Sequence, residues 1–259
     1  MNALTLHQIN ARDKSETMTQ SISEQVSLRA VLFDVFGTVV DWRASIAREV
    51  QAALAGHRVS IDSNTFADRW RALYQPAMSR VRSGEIDFVP LDELHRKNLD
   101  QVLEEFSVDH LSESETAYLN LAWHRLDPWP DVVVGLQRLK TGYVIGTLSN
   151  GNIALMVNMA KRGQLPWDVI LGAEVARAYK PQPQAYLGSA QALGLAPGEC
   201  MLVAAHNDDL KAAAQCGFRT AFVERPFEHG PDQQSNLVAE GDYDHIARDF
   251  VDLAVQLGC

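Results

Sequence analysis

Five short apolar runs constrain this chain more than any other feature of its sequence. They are Arg29–Asp34 (RAVLFD), Tyr143–Leu148 (YVIGTL), Val169–Gly172, Met201–Ala205 (MLVAA) and Thr220–Glu224 (TAFVE). Each is almost continuously apolar instead of alternating, which suits strands covered on both faces, as in a parallel sheet. Helical patterns separate most of them. Asp131–Lys140 precedes the second run, and Asn152–Arg162 places Leu155 and Met159 on one face. Gln184–Leu193 and Asp209–Gln215 run into Gly194 and Gly217, residues suited to left-handed helix caps. Strand alternating with helix implies βαβ crossovers, and so an α/β chain with a Rossmann-like, doubly wound parallel sheet.

The first two runs break that rhythm. Between them the sequence is almost wholly helical, with Trp42–Leu54 carrying Ile46, Val50, Ala53 and Leu54 on one face and stopping at Gly56. Phe66–Arg82, Leu91–Phe106 and Ser114–His124 follow as further helices. One helix suffices for a crossover, so residues 41–127 are expected to form an inserted helical cap domain. The core then comprises 28–40 and 128–259, with Pro128-Trp129-Pro130 marking the return. A last amphipathic helix is expected to carry Ile246, Phe250, Leu253 and Leu257 along one stripe.

Composition narrows the partners. Lys and Arg number 23 against 33 Asp and Glu, a formal charge of −10, which argues against nucleic acid. No apolar stretch is long enough to span a bilayer, so no membrane partner is expected. Cys200, Cys216 and Cys259 show no CxxC spacing and read as incidental thiols of a reducing compartment. Residues 1–27 are polar, lack the apolar core of a signal peptide and read as a surface arm, so a cytoplasmic location is expected. The oligomeric state is not encoded legibly; a homodimer is compatible with the sequence.

Polar clusters end the successive runs. Asp34-Val35-Phe36-Gly37-Thr38 puts a carboxylate where open α/β sheets place their ligands, with Thr38 able to return its hydroxyl to it. Ser149-Asn150-Gly151 opens a helix after the second run, and helix N-termini favour anions. Lys180-Pro181 follows the third run, and His206-Asn207-Asp208-Asp209 the fourth. Each has an ordinary reading as a cap or a solvated side chain. Four at the same end of four different strands are harder to explain that way.

This order of DxxGT, Ser-Asn, Lys-Pro and an acidic cluster resembles the haloacid dehalogenase superfamily, from about Arg29 to Pro226. The resemblance implies a Rossmann-like core with a helical cap inserted after the first strand. Phosphatases of that superfamily carry a second Asp two residues after the nucleophile, where this chain has Phe36. They carry a magnesium-binding Asp at the position of Ala205. A phosphatase is therefore disfavoured, and no metal or other cofactor is implied. The pattern is instead similar to the L-2-haloacid dehalogenases, met by Asp34, Gly37-Thr38, Ser149-Asn150-Gly151, Lys180-Pro181 and Tyr186. Trp70-Arg71 matches that subgroup's halide-binding arginine, with Arg69 as the competitor. The subgroup's typical Ser-Ser-Asn-x-aromatic-Asp is here Ala204-Ala205-His206-Asn207-Asp208-Asp209, a departure beside the substrate pocket.

The implied activity is hydrolysis of a short 2-substituted carboxylic acid. Asp34 attacks C2, Lys180 keeps Asp34 ionised, Thr38 supports it, and Asp209 activates water, with His206 as a relay. Ser149 and the N–H groups near Asn150 hold the substrate carboxylate, and Arg71 with Asn150 receives the halide. Val35, Phe36, Tyr74, Tyr186, His206, Asn207 and Asp208 complete the expected substrate contacts. The alternative on the same scaffold is ring opening of L-azetidine-2-carboxylate, in which Asp208 would face a cationic ring. A metal-dependent phosphatase is a more distant alternative.

Overall fold

A computed structural model describes residues 27–57 and 59–259; all but the last residue of the expected polar arm lies outside them. In chain order these residues form β1 (Ala30–Phe33), β2 (Val40–Asp41), α1 (Trp42–Leu54), α2 (Ser63–Ala72), α3 (Tyr74–Arg82), α4 (Leu91–Glu105), α5 (Glu113–Asn120) and β3 (Asp127–Pro128). Then come α6 (Val132–Leu139), β4 (Val144–Ser149), α7 (Ile153–Gly163), β5 (Val169–Gly172), α8 (Ala173–Ala176), α9 (Pro183–Ala192) and β6 (Cys200–Ala204). The chain finishes with α10 (Asn207–Gln215), β7 (Arg219–Val223), β8 (His245–Ala247) and α11 (Phe250–Gln256).

The main sheet runs β5-β4-β1-β6-β7-β8, with every pairing parallel. The chain winds outward from β1 through β4 and β5, then crosses back to build β6, β7 and β8 on the other side. That reversal makes a switch point beside β1, the crevice where such sheets bind ligands. β1 also explains why its run reads apolar throughout. Ala30 and Leu32 pack with Leu148 and Leu202 on one face, while Val31 and Phe33 pack with Ile145 and Val203 on the other. All four β1 side chains are fully buried.

The helices α1 to α5 lie between the two strands of a small antiparallel ribbon, in which Val40 faces Pro128 and Asp41 faces Asp127. They share the apolar cluster of Val31 and Phe33, which extends through Trp42, Trp70, Tyr74 and Trp123. Helix and sheet are thus joined by one continuous core, and the crevice lies between them.

Three elements differ from expectation. The helix expected over Phe66–Arg82 is two helices, broken at Leu73. Pro76 is the cause, because it has no N–H for the Ala72 carbonyl and its ring crowds that oxygen. The stretch expected as Ser114–His124 is helical only over Glu113–Asn120 and tightens to a 3-10 turn over Leu121–Arg125. Ile246 is not on the last helix. It sits half-exposed in β8, an edge strand too short and polar to show as an apolar run, and α11 starts beyond it with Asp249 capping the Asp252 N–H.

Candidate active site

Asp34 follows β1 directly and is tethered by its N–H to the Val203 carbonyl of the next strand at 3.0 Å. The chain then turns at Gly37, whose φ of +87° falls in the left-handed region. Thr38 comes round to donate its hydroxyl to Asp34 Oδ2 at 2.8 Å, while its Oγ1 accepts the Ala205 N–H at 2.9 Å. One threonine therefore ties the ends of β1 and β6 together and orients the carboxylate.

Lys180 reaches the same carboxylate from the segment after β5. Its backbone N–H donates to Asn150 Oδ1 at 2.8 Å, which links it to the end of β4. Its Nζ lies 2.8 Å from Asp34 Oδ1 and 2.5 Å from Asp209 Oδ2, and Tyr186 donates to Asp209 Oδ1 at 2.6 Å. His206, at the end of β6, places Nδ1 3.0 Å from Asp34 Oδ2 and Nε2 2.9 Å from Glu228 Oε2. Glu228 accepts the Trp42 indole N–H at 3.0 Å. Its loop is held by Arg225, which makes a bidentate pair with Asp131 and donates to the Thr38 carbonyl.

This network sets the charges. Burial would raise the Asp34 pKa, but the Lys180 charge and the His206 hydrogen bond and charge hold it well below the carboxylate range. Burial would lower Lys180, yet Asp209 and Asp34 hold it above the usual lysine value. Burial likewise favours neutral His206, but Glu228 and Asp34 lift it to about 10. Tyr186 is driven up by burial and by the Asp209 charge, so it stays a hydrogen-bond donor. Asp34 is a carboxylate held between two cations, each with its own second acid.

A cavity of about 530 Å³ opens onto Asp34, Lys180 and His206, with Phe36, Arg71 and Tyr74 on its other walls. The helix break at Leu73 shapes it, since Arg71 ends α2 and Tyr74 starts α3. The Arg71 guanidinium lies 4.1 Å from the Tyr74 ring centre and within 6 Å of Phe36 and Trp42. Its Nη1 is buried without a hydrogen-bond partner among the described residues. Arg69 points elsewhere and forms a two-pronged pair with Glu105 at 2.6 and 2.8 Å. Between the two arginines, the structure brings Arg71 to the cavity.

Of the other expected contacts, Asn150, Tyr186 and Asp209 line the cavity. Asp208 stands at its mouth with a fully exposed side chain. Val35 is buried in the core, and its carbonyl accepts the Val39 and Val40 N–H groups. The Ser149 hydroxyl is buried and accepts the Gly151 N–H at 3.1 Å. Asn207 turns away from the cavity. Its side chain donates to Asn236 Oδ1 and the Val238 carbonyl and accepts from the Glu240 N–H and the Tyr243 hydroxyl. It pins the 236–243 segment, a role that its place beside His206 did not suggest. Sequence reasoning missed Glu228 and Trp42, which come from a loop and a helix start with no motif around them.

A magnesium ion, which phosphatases on this scaffold require, does not suit these side chains. The Asp34 oxygens are engaged by Lys180, Thr38 and His206, and Ala205 offers a methyl group where an acid would be needed.

A model of the haloacid dehalogenase-like hydrolases matches residues 28–217. The chain belongs to that family. Among solved structures of the family, a defluorinating L-2-haloacid dehalogenase is 54% identical with a TM-score of 0.88, covering 90% of this chain and 96% of its own. A second L-2-haloacid dehalogenase is 47% identical, with a TM-score of 0.87 and coverage of 90% and 99%. The (S)-2-haloacid dehalogenase 4A of Burkholderia cepacia is 27% identical over 202 residues, 77% of this chain and 84% of that protein. This chain is therefore a hydrolase on the haloacid dehalogenase scaffold.

Proposed function

We propose that this hydrolase is an L-2-haloacid dehalogenase that works through an ester on Asp34. The observation that carries the reading is Arg71, a half-buried residue whose Nη1 is buried and unpartnered among the described residues, in the wall of the cavity that holds Asp34. That is a receptor for a leaving anion placed opposite a carboxylate nucleophile. The relatives' names supply the substrate class: 2-haloacids, with fluoride among the leaving groups of one of them.

In this reaction Asp34 attacks C2 of the L-2-haloacid in line, and the halide departs toward Arg71 and Asn150. Lys180 holds Asp34 ionised and oriented, so the attack begins from a positioned carboxylate. Asn150 and the peptide N–H groups following Asp34 and Ser149 receive the substrate carboxylate. Phe36, Tyr74 and Trp42 exclude water from the reacting pair. Asp209, bridged to Asp34 through Lys180, takes the proton of the water that opens the ester. An azetidine ring would bring a cation toward Arg71, and Asp208 at the mouth is fully solvated, so this alternative has less support.

Incubation with L-2-chloropropionate, fluoroacetate, L-azetidine-2-carboxylate and a phosphate ester tests the reading. Halide release from the first two substrates is expected; turnover of the azetidine or the phosphate ester alone would overturn it.

A further inference from the structure

His206 stands between two carboxylates, 3.0 Å from Asp34 Oδ2 through Nδ1 and 2.9 Å from Glu228 Oε2 through Nε2. A neutral imidazole has one N–H, so it would turn a ring lone pair toward one of those oxygens. Only the imidazolium donates to both. Glu228 is built to hold it so. Its side chain is 1% exposed, Trp42 fixes Oε1, and a Cβ at position 37 would come within 2.1 Å of that oxygen. A buried acid is costly unless it is paired; the His206 ring pairs with Glu228, while His229 lies 3.6 Å away with its pKa lowered by burial and Arg71 is farther off.

The two oxygens of Asp34 are also unequal. Oδ1 faces Lys180, whereas Oδ2 is enclosed by the Thr38 hydroxyl and the His206 ring.

We propose that Glu228 is a positioning residue that keeps His206 an imidazolium, and that His206 with Thr38 forms the oxyanion site for hydrolysis of the Asp34 ester. This rests on the ester reaction proposed above. There Oδ1 bonds to the substrate C2 and Oδ2 remains the ester carbonyl oxygen. When water adds to Asp34 Cγ, the carbonyl electron pair moves to Oδ2 and the proton lost by water goes to Asp209. Cγ–Oδ1 then breaks, Oδ1 leaves as the product hydroxyl with the proton from Asp209, and the carbonyl re-forms. The new acid loses its proton to solvent, because its surroundings hold it ionised. Negative charge builds on Oδ2 in this half of the reaction only. In ester formation Oδ2 loses charge, so the His206 donor has little to stabilise there.

Two consequences follow. Removing the Glu228 charge slows ester hydrolysis more than ester formation. It also moves the alkaline limit of kcat to lower pH, since Asp34 is then the one acid, among the described residues, still hydrogen-bonded to the His206 ring. With Glu228 present, a folded value of about 10 leaves His206 charged through neutral pH, and kcat falls only as pH rises toward that value.

The test mixes the full-length protein, wild type or Glu228→Gln, with L-2-chloropropionate, and reads chloride and intact protein mass after quenching. The variant is expected to release one chloride per site quickly and then turn over roughly 10²-fold more slowly, the scale of losing one oxyanion donor. The ester should accumulate on Asp34, and the fall in kcat should begin at a lower pH than in wild type. Chloride release slowed as much as turnover, with no ester accumulating or no change in the pH profile, would overturn the proposal. His206→Gln carries the same chloride and mass readouts should Glu228→Gln fail to fold. A single turnover of wild-type protein in oxygen-18 water separates the two levels of inference. Label in Asp34 supports the ester, and label in the product hydroxyl overturns the ester reaction itself.

Discussion

In the proposed reaction Arg71 receives the departing halide, and Arg71→Ala removes it. A halide seated ~4 Å from the guanidinium, at an effective dielectric of about 20, gains roughly 4 kcal/mol from that one charge. Loss of a single preorganised donor in other hydrolases costs about 10²–10³ in kcat, or roughly 3–4 kcal/mol. The two figures agree, and both refer to charge that develops as the carbon–halogen bond breaks. The loss should therefore fall on kcat, with KM changing by less than about tenfold. Stability should hardly suffer, because the buried Nη1 makes no hydrogen bond and the ring contacts are what the alanine loses. Arg69→Ala is the matched control. Its pair with Glu105 is on the surface, so its effect on rate should stay within about threefold. Halide-electrode assays of both variants with L-2-chloropropionate, alongside thermal melts, read every term. An Arg71→Ala enzyme keeping a tenth of wild-type kcat, or an Arg69→Ala enzyme that is the more damaged, would refute the reasoning.

Asp34→Asn should reduce turnover by at least ~10⁴-fold, since an amide is a poor nucleophile, and no protein–substrate mass adduct should form. EDTA and added Mg²⁺ should leave halide release unchanged, because Lys180 and His206 occupy the Asp34 oxygens a cation would need; a strong magnesium stimulation would favour phosphoryl chemistry. Asn207→Ala should cost about 1–3 kcal/mol in denaturant unfolding, as it removes four hydrogen bonds of the buried Asn207 side chain and leaves the buried Tyr243 hydroxyl without it. Its kcat should remain within about threefold, and a large kcat loss in a fully stable protein would return Asn207 to the list of substrate contacts.

The parallel sheet was legible because burial of both faces writes itself into consecutive apolar residues, as at Ala30–Phe33. The clusters at the strand ends were legible for a related reason: a parallel sheet delivers all its carboxyl ends to one edge, so Asp34, Asn150, Lys180 and Asp209 had to be neighbours. Direction within that edge was not legible. Asn207 and His206 are adjacent in sequence, yet one pins a loop and the other meets Asp34, because the first turn of α10 rotates them apart. Glu228 had no periodicity to reveal it; it lies in a loop whose course is set by Arg225, three residues before it, through Asp131, and by Trp42, the last two distant in sequence. The break at Leu73 was present in the sequence as Pro76, a helix breaker outweighed by the apolar pattern on either side.

The ribbon of β2 and β3 sets the ends of the helical segment side by side, with Val40 opposite Pro128. A segment that leaves and re-enters a structure at adjacent points imposes little on its host, since closure entropy grows only with the logarithm of its length. Such a segment can be exchanged while the sheet stays as it is. The division of labour in the cavity follows that seam. Asp34, Lys180, His206 and Asp209 stand on the host side, with Glu228 behind His206, whereas Arg71 and Tyr74 stand on the exchangeable side. In the proposed reaction, bond making would then be inherited with the sheet, and the choice of what departs from carbon could be rewritten without touching Asp34.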